Sequence, residues 1–347
     1  MKKRKVLFTA LIVALAACVS VSLVCSWSER QLLKKPGNEI YEEMKKLSAG
    51  KLIRKINRLE TKYPDMEDKT ELLPLYQALI DKADEFSDEQ LIDLIQKRDT
   101  LAGIEEALIE MYAANGYDGT KLIVLLDDPD IADETKSNIV SRLDYSVDEL
   151  CDIFRKFDDR TAVIAMQKLN MADSGKALQL VDELLASDQG GTELSFGKYK
   201  AICLGIANYY EKSSSSEEAA EIRAEYAPVL KKIYHQSSSG LVQDQAVYAL
   251  GRICDYELFS WIIEHDQIDF QLKVSVIERN TELMKMQIAS AKSEDDIRAV
   301  MKAMNLHPVY ALAAPLQKAV EQGNLPASEE LLELIDHIQK EGIGFHG

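Results

Sequence analysis

Short amphipathic segments recur along most of the chain with turn signals between them, and this recurrence limits the fold more than any other feature. Four of them open at Ser87, Tyr117, Ser146 and Asp173, just under thirty residues apart on average. Each opening places Ser, Asp or a Gly-containing turn before the first apolar turn, as a helix N-cap would. A second segment follows each one, with apolar residues mostly three and four positions apart. Stacked helix pairs can bury both apolar stripes, so we predict an all-α fold, an α-solenoid of antiparallel helix pairs.

The repeat pattern sets the boundaries that we expect along the chain. A membrane-proximal basic helical segment occupies residues 28–64, the helical-repeat domain residues 65–341, and a C-terminal tail residues 342–347. The run LIVLL at 122–126 also suits a buried strand by composition, but its place in the repeat predicts a helix. We predict that residues 268–291 form one long helix, the second helix of its pair.

The N-terminus predicts a membrane anchor. Four basic residues at 2–5 precede a charge-free, largely apolar stretch at 6–27. At about 1.5 Å per helical residue, this stretch matches the roughly 30 Å hydrocarbon core of a bilayer. Residues 1–5 should stay cytoplasmic because positive charge is retained on that side. We therefore expect a cell-membrane protein with the bulk of its chain on the extracytoplasmic side.

A lipoprotein signal peptide is the alternative interpretation of the same residues. Leu15, Ala16, Ala17 and Cys18 spell a bacterial lipobox, in which Cys18 is lipidated and becomes N-terminal after cleavage. The chain stays apolar up to Val24, which favours an uncleaved anchor over the polar tether typical of lipoproteins. Cleavage without a lipid, followed by secretion, is the third alternative, and all three place the repeats outside the cytoplasm.

Charge is distributed unevenly along the sequence. The formal net charge is −17, which disfavours nucleic acid as a partner. Residues 29–62 are the exception, and they contain the basic residues Arg30, Lys34, Lys35, Lys45, Lys46, Lys51, Arg54, Lys55, Arg58 and Lys62. This stretch suits anionic lipid headgroups or wall polymers. The favoured interpretation, however, is a solvated helix face balanced by neighbouring Glu residues.

The search for reactive groups identifies no catalytic residue, cofactor or small-molecule substrate. Ser48 with Lys51 and Ser195 with Lys198 have the S-x-x-K spacing of serine–lysine nucleophiles, but the companion motifs of such enzymes are absent. An acidic loop contains Asp127, Asp128, Asp130 and Asp133 and could attract a calcium ion. It lacks the central glycine and the terminal glutamate of an EF-hand. We therefore expect these carboxylates to lie at a helix N-terminus, where they complement the helix dipole.

The cysteines and histidines read as structural. Three cysteines follow the leader, an odd number within apolar helical patterns, so we expect small core residues rather than disulfides: Cys151, Cys203 and Cys254. The five histidines show no close ligand pairing in the sequence, and we expect surface or capping roles for them: His235, His265, His307, His337 and His346.

Aromatic residues crowd the central helix pairs. Binding surfaces favour Tyr and Trp, although most aromatic residues at helical spacing are core. We predict that a surface in this region carries the partner site, with these candidate residues: Tyr209, Tyr226, Tyr234, Tyr248, Tyr256 and Trp261.

One unit resembles a known repeat family. In QDQAVYALGRICD at 243–255, small and apolar residues including Ala249, Leu250 and Gly251 occupy the packed face, which resembles the second helix of a HEAT-like repeat. Small residues there let helices approach closely. The resemblance implies protein binding along a concave helical surface, although some HEAT-like proteins act as lyases or accessory factors, and we expect a non-catalytic scaffold or adaptor for another envelope protein. An enzyme accessory or lyase-like protein with a cation in its acidic loops, and a structural spacer, are the alternatives.

Overall fold

The chain is all α-helical, as predicted, over the residues that the structure describes. The computed structural model describes residues 31–62, 72–97, 104–117, 119–189 and 194–343. These residues form no strand, and one isolated parallel bridge joins Val309 to Ile343. Within this part, no helix has the length and apolar character that crossing a membrane requires. The basic tail at 1–5 and the predicted anchor at 6–27, with Cys18, lie outside the described residues.

The chain divides into two compact units between Asp144 and Tyr145, a boundary inside the predicted repeat domain. The described part of the first unit contains seven α-helices: α1 (Gly37–Lys45), α2 (Ala49–Lys62), α3 (Leu73–Ile80), α4 (Asp88–Lys97), α5 (Ile104–Ala114), α6 (Thr120–Leu126) and α7 (Asp133–Arg142). Helix α3 packs against α1, α2 and α5, and α5 packs against α4 and α7. The run at 122–126 is helical, as its place in the repeat predicts.

The second unit contains twelve α-helices in its described part: α8 (Val147–Lys156), α9 (Arg160–Ala172), α10 (Ser174–Gln189), α11 (Phe196–Tyr210), α12 (Ser216–Gln236), α13 (Gly240–Arg252), α14 (Tyr256–Glu264), α15 (Phe270–Arg279), α16 (Thr281–Ser290), α17 (Arg298–Leu306), α18 (Ala313–Glu321) and α19 (Glu329–Glu341). Alternate helices pack against each other in one row, from α9 through α11, α13, α15 and α17 to α19. Helices α8, α12 and α14 pack beside this row, each against the helix that follows it.

Side-chain caps begin many of these helices, and the cap at Ser146 is at one of the predicted helix openings. Ser146 forms a full capping box with Glu149 at the start of α8. Ser195, Asp255 and Ser328 cap α11, α14 and α19 by accepting a hydrogen bond from a backbone N–H of the first turn. These caps satisfy N–H groups that have no partner within the helix and so fix where each helix begins.

The predicted long helix at 268–291 is wrong, because Asn280 divides it into α15 and α16. The Asn280 side-chain amide donates to the carbonyl oxygens of Val276, at 2.8 Å, and Gly251, at 3.1 Å. Asparagine competes for backbone carbonyls in this way and so favours helix ends over helix interiors.

Glycine at 251 has the packing role that the sequence predicts. A Cβ atom at this position would lie 2.6 Å from Cγ2 of Val276, so α13 and α15 approach each other more closely than an alanine would allow. Gly205 of α11 is similarly close to Met166 of α9, because a Cβ there would lie 2.5 Å from the Met166 Cγ. Small residues therefore set the spacing of successive helices in the row.

Candidate protein-binding surface

The six predicted aromatic residues do not form one surface. Tyr226 is fully buried, and its hydroxyl donates to the side-chain oxygen of Asn170 and to the Ser174 carbonyl. Burial raises the pKa of this phenol. Tyr209 meets the Tyr226 ring edge-on, with centroids 6.2 Å apart. Tyr226 therefore belongs to the core, and we remove it from the predicted surface.

Two further candidates lie apart from the others. Tyr248 is 37% exposed, and the Arg252 guanidinium lies 5.8 Å from the centroid of its ring. Tyr256 stacks on Phe259 at the start of α14, with centroids 6.2 Å apart and 23° between the ring planes. Burial raises the pKa of the Tyr256 hydroxyl. Neither ring has a contact with the remaining candidates, Tyr234 and Trp261, among the ring pairs of the described residues.

Tyr234 and Trp261 form an aromatic cluster with two histidines. The Tyr234 ring meets Trp261 edge-on at 5.6 Å, His235 at 5.2 Å and His265 at 5.4 Å between centroids. Trp261 lies 5.0 Å from His265 and 6.0 Å from His235, and the two imidazoles are 6.1 Å apart. Tyr234 is buried beneath the cluster, while Trp261, His235 and His265 reach solvent to different extents.

The helix ends explain how the cluster assembles. Tyr234 and His235 lie in the last turn of α12, Trp261 lies in α14, and His265 is the C-cap residue of α14. The two histidines are thirty residues apart in the sequence, close to one repeat length, so equivalent helix ends bring them together. Sequence reasoning missed this pair because it looked for histidines close together in the chain. The repeat length is the signal that finds them.

Charged groups lie near the cluster. The Lys231 ammonium lies 5.1 Å from the centroid of the Trp261 ring, a cation–π contact. Burial raises the pKa of the Tyr234 hydroxyl, with a smaller contribution from the Asp244 carboxylate. Burial also raises the pKa of Asp244 itself, and the nearby negative charge of Asp269 adds to that increase. The cluster is thus an apolar surface with a cation above it and carboxylates nearby.

Two exposed apolar side chains follow the cluster closely in the sequence. Leu241, 64% exposed, and Phe270, 48% exposed, lie in the first turns of α13 and α15. Helix α13 follows α12 in the sequence, and α15 follows α14, so each begins a few residues after one of the two histidines of the cluster. We call the aromatic cluster together with Leu241 and Phe270 the aromatic patch. Exposed apolar groups around a partly buried Trp are typical of sites where proteins bind each other.

The S-x-x-K motif at Ser195 forms a packing contact. The Ser195 hydroxyl accepts from the Lys198 backbone N–H and donates to the Asp158 carboxylate, both at 3.1 Å. The Lys198 ammonium instead donates to the carbonyl oxygens of Phe154, Arg155 and Phe157 at the end of α8. Burial lowers the pKa of Lys198. The lysine thus caps the C-terminus of another helix.

The other S-x-x-K pair and the acidic loop also have local structural contacts. The Ser48 carbonyl accepts from the backbone N–H of Lys51 where α2 begins. In the acidic loop, the Asp128 carboxylate accepts from the Asp130 N–H at 2.9 Å, and Asp133 lies in the first turn of α7. No group of three or more His, Cys, Asp or Glu residues in the described ranges is arranged to hold a metal ion.

The three cysteines of the described residues are free thiols within the second unit. Cys151 and Cys203 are buried, as the prediction of core roles expects, and burial raises the pKa of the Cys203 thiol to about 12. Cys254 is only partly buried and so departs from that prediction, although desolvation of its thiol still raises its pKa. A thiol that is neutral at physiological pH is a poor nucleophile and a poor metal ligand.

Comparison with known proteins gives no relative from which a function can be transferred. The chain matches no protein-family model, no curated protein and no solved structure.

Proposed function

We propose that the chain is a non-catalytic scaffold of a bacterial cell envelope that binds another envelope protein through the aromatic patch. In this proposal, residues 6–27 anchor the chain in the cell membrane, and the bulk of it lies on the extracytoplasmic side. The helices form a HEAT-like α-solenoid whose loops and helix ends present the patch. The lipoprotein form, with a lipid on Cys18, remains the alternative anchor, and the mass of the mature N-terminus distinguishes the two.

The packing of alternate helices supports the solenoid arrangement. In the second unit, a continuous row from α9 to α19 forms because each helix of the row packs on the next one. Gly205 and Gly251 keep two of these contacts close, as small residues do in stacked repeats. Each repeat in such an array contacts mainly its neighbours, which leaves a long surface available for partners.

The aromatic patch is the observation that carries the proposal. Its partly exposed Trp261 is preorganised by rings on two helices, so little side-chain entropy remains to be lost on binding. Leu241 and Phe270 add apolar surface, and Lys231 adds a charge that can fix the orientation of a partner. Among the described residues, no cluster of side chains similarly favours the alternative of an enzyme accessory. The alternative of a structural spacer predicts that the aromatic patch binds no partner.

Charge substitutions at the edge of the patch test the proposal. We expect Leu241→Glu combined with Phe270→Glu to lower the amount of the captured partner by about tenfold or more, because carboxylates would be buried in an apolar interface. The measurement is affinity capture of the tagged full chain from solubilised membranes, with quantitative mass spectrometry. The fold should be unaffected, because both side chains are exposed and surface substitutions change stability by about 0.5 kcal/mol or less.

Met286→Glu provides the matched control. Met286 is 64% exposed, the same fraction as Leu241, but it lies on α16 outside the patch. The Met286→Glu variant should capture the same partner, in the same amount, as the wild-type chain. Equal loss of the partner from the control and the double variant, or no loss from either, would exclude the patch as the binding site.

A further inference from the structure

Helix α2 of the first unit carries a basic face. Lys51, Arg54, Lys55 and Arg58 are spaced three and four positions apart and so lie on one side of the helix. Lys51, Arg54 and Arg58 are exposed, and Lys55 is partly exposed. We call these four residues the basic face. They stand out in a chain whose formal net charge is −17.

The packing of α2 holds this face outward. Leu52, Ile56 and Leu59 are fully buried and lie on a separate side of the helix. The start of the helix is fixed as well, because the Ala49 N–H donates to the Glu85 carboxylate at 3.2 Å. The helix cannot rotate its lysines and arginines inward without exposing its apolar stripe to water.

Basic residues outnumber acidic residues in this region of the chain. Residues 31–62 contain nine Lys and Arg residues against four Glu residues. Glu43 pairs with Lys35, and this bond lowers the pKa of the Glu43 carboxyl, with further contributions from the charges of Lys55 and Lys46. Lys46, Lys51 and Arg54 form no ion pair with a carboxylate of the described residues. This region therefore has a net positive formal charge in an otherwise acidic chain.

The described structure begins close to the proposed membrane anchor. Four residue steps separate Trp27 from Gln31, and they span at most about 14 Å. Helix α2 begins at Ala49, in the same compact unit as Gln31. A unit tethered to a bilayer meets lipid headgroups at high local concentration. The field of an anionic membrane extends only about one Debye length, so the charges act where this face meets the membrane.

We propose that the basic face of α2 binds the anionic phospholipid headgroups of the membrane in which the chain is anchored. This proposal rests on the anchor in the proposed function and adds a lipid preference to it. Lysines and arginines displace counterions from the anionic surface, and their number and common direction set the attraction. The contact would hold α2 of the first unit against the bilayer.

Lysine footprinting tests the proposal with the full chain. The chain is reconstituted in vesicles of phosphatidylcholine alone or of phosphatidylcholine and phosphatidylglycerol in equal parts, and an amine-acylating reagent is added. We expect Lys46 and Lys51 to react about fivefold more slowly in the anionic vesicles. Lys200 and Lys212, which are exposed in the second unit, serve as internal references. About 1 M salt should abolish the difference, because the Debye length is then about 3 Å.

A single substitution connects the protection to the basic face. Arg54→Gln should reduce the protection of Lys46 and Lys51, whereas Lys200→Gln, which also removes one exposed positive charge, should leave it intact. Equal reaction rates in both kinds of vesicle would refute the lipid contact. Protection by inorganic phosphate alone would also refute it, because it would indicate a phosphate site rather than a surface contact.

Flotation of the same samples separates this inference from the proposed anchor. A chain that floats with both kinds of vesicle but shows no lipid-dependent protection retains the anchor and excludes the headgroup contact. A chain that floats with neither excludes both.

Discussion

Replacing Gly197 with alanine should destabilise the second unit by about 3 kcal/mol, at the upper end of overpacking effects. A Cβ at this position would lie 2.1 Å from the carbonyl oxygen of Asp158, a backbone atom that no rotamer change can move. To relieve this overlap, α11 must move away from the end of α8. That movement would also lengthen the hydrogen bonds of Lys198 to the end of α8. Urea unfolding followed by the fluorescence of Trp261 measures the change.

Gly240→Ala is the control for this substitution. Gly240 also lies in the first turn of a helix, but nothing lies within 4 Å of the place that a Cβ would occupy there. Alanine at this position should stabilise the unit by about 0.5 kcal/mol, because it reduces the entropy of the unfolded chain. Similar effects at Gly197 and Gly240 would contradict the close contact between α8 and α11.

The contact between α13 and α15 should show strong coupling in a double-mutant cycle. Gly251→Ala alone should cost about 2 kcal/mol, because the new methyl group overlaps the Val276 side chain. Val276→Ala alone should also cost about 2 kcal/mol by leaving a cavity. In the double variant, the methyl group of residue 251 occupies space that Val276 vacates, so the two costs should not add.

The coupling free energy should be about 1 to 2 kcal/mol in the stabilising direction. It is obtained from four urea titrations, of the wild-type chain, both single variants and the double variant. Additive costs would mean that Gly251 and Val276 do not limit the helix spacing, and the role of Gly251 in the repeat would be withdrawn.

The sequence predicted the helical elements well because local signals specify them. The Ser146 cap, the helix at 122–126 and the packed Gly251 all follow from residue type and spacing over a few positions. The break at Asn280 was missed for the opposite reason. Its side chain bonds to Gly251 as well as to Val276, and a contact twenty-nine residues away has no local signal.

The sequence did not predict which of the candidate aromatic residues are exposed, because helical spacing does not say which side of a helix is covered. Tyr226 and Tyr234 both lie on α12, and both turn inward against neighbouring helices. Trp261 stays only partly exposed because its ring packs against Tyr234 and His265. The motif SFGK at 195–198 shows the same limit. Its spacing is that of serine–lysine nucleophiles, from which we expected no catalysis, and only its three-dimensional contacts show that it is a packing turn between α8 and α11.

Site-specific photo-crosslinking in intact cells tests the binding of an envelope protein most directly. A photoreactive amino acid is placed in turn at His235, Leu241 and Phe270 in the aromatic patch. The same residue at Met171, Met286 and Tyr310 tests exposed positions of the second unit outside the patch. Our account predicts one crosslinked envelope protein, common to the patch positions and absent from the others. No adduct from any patch position, or equal adducts from all six positions, would contradict it.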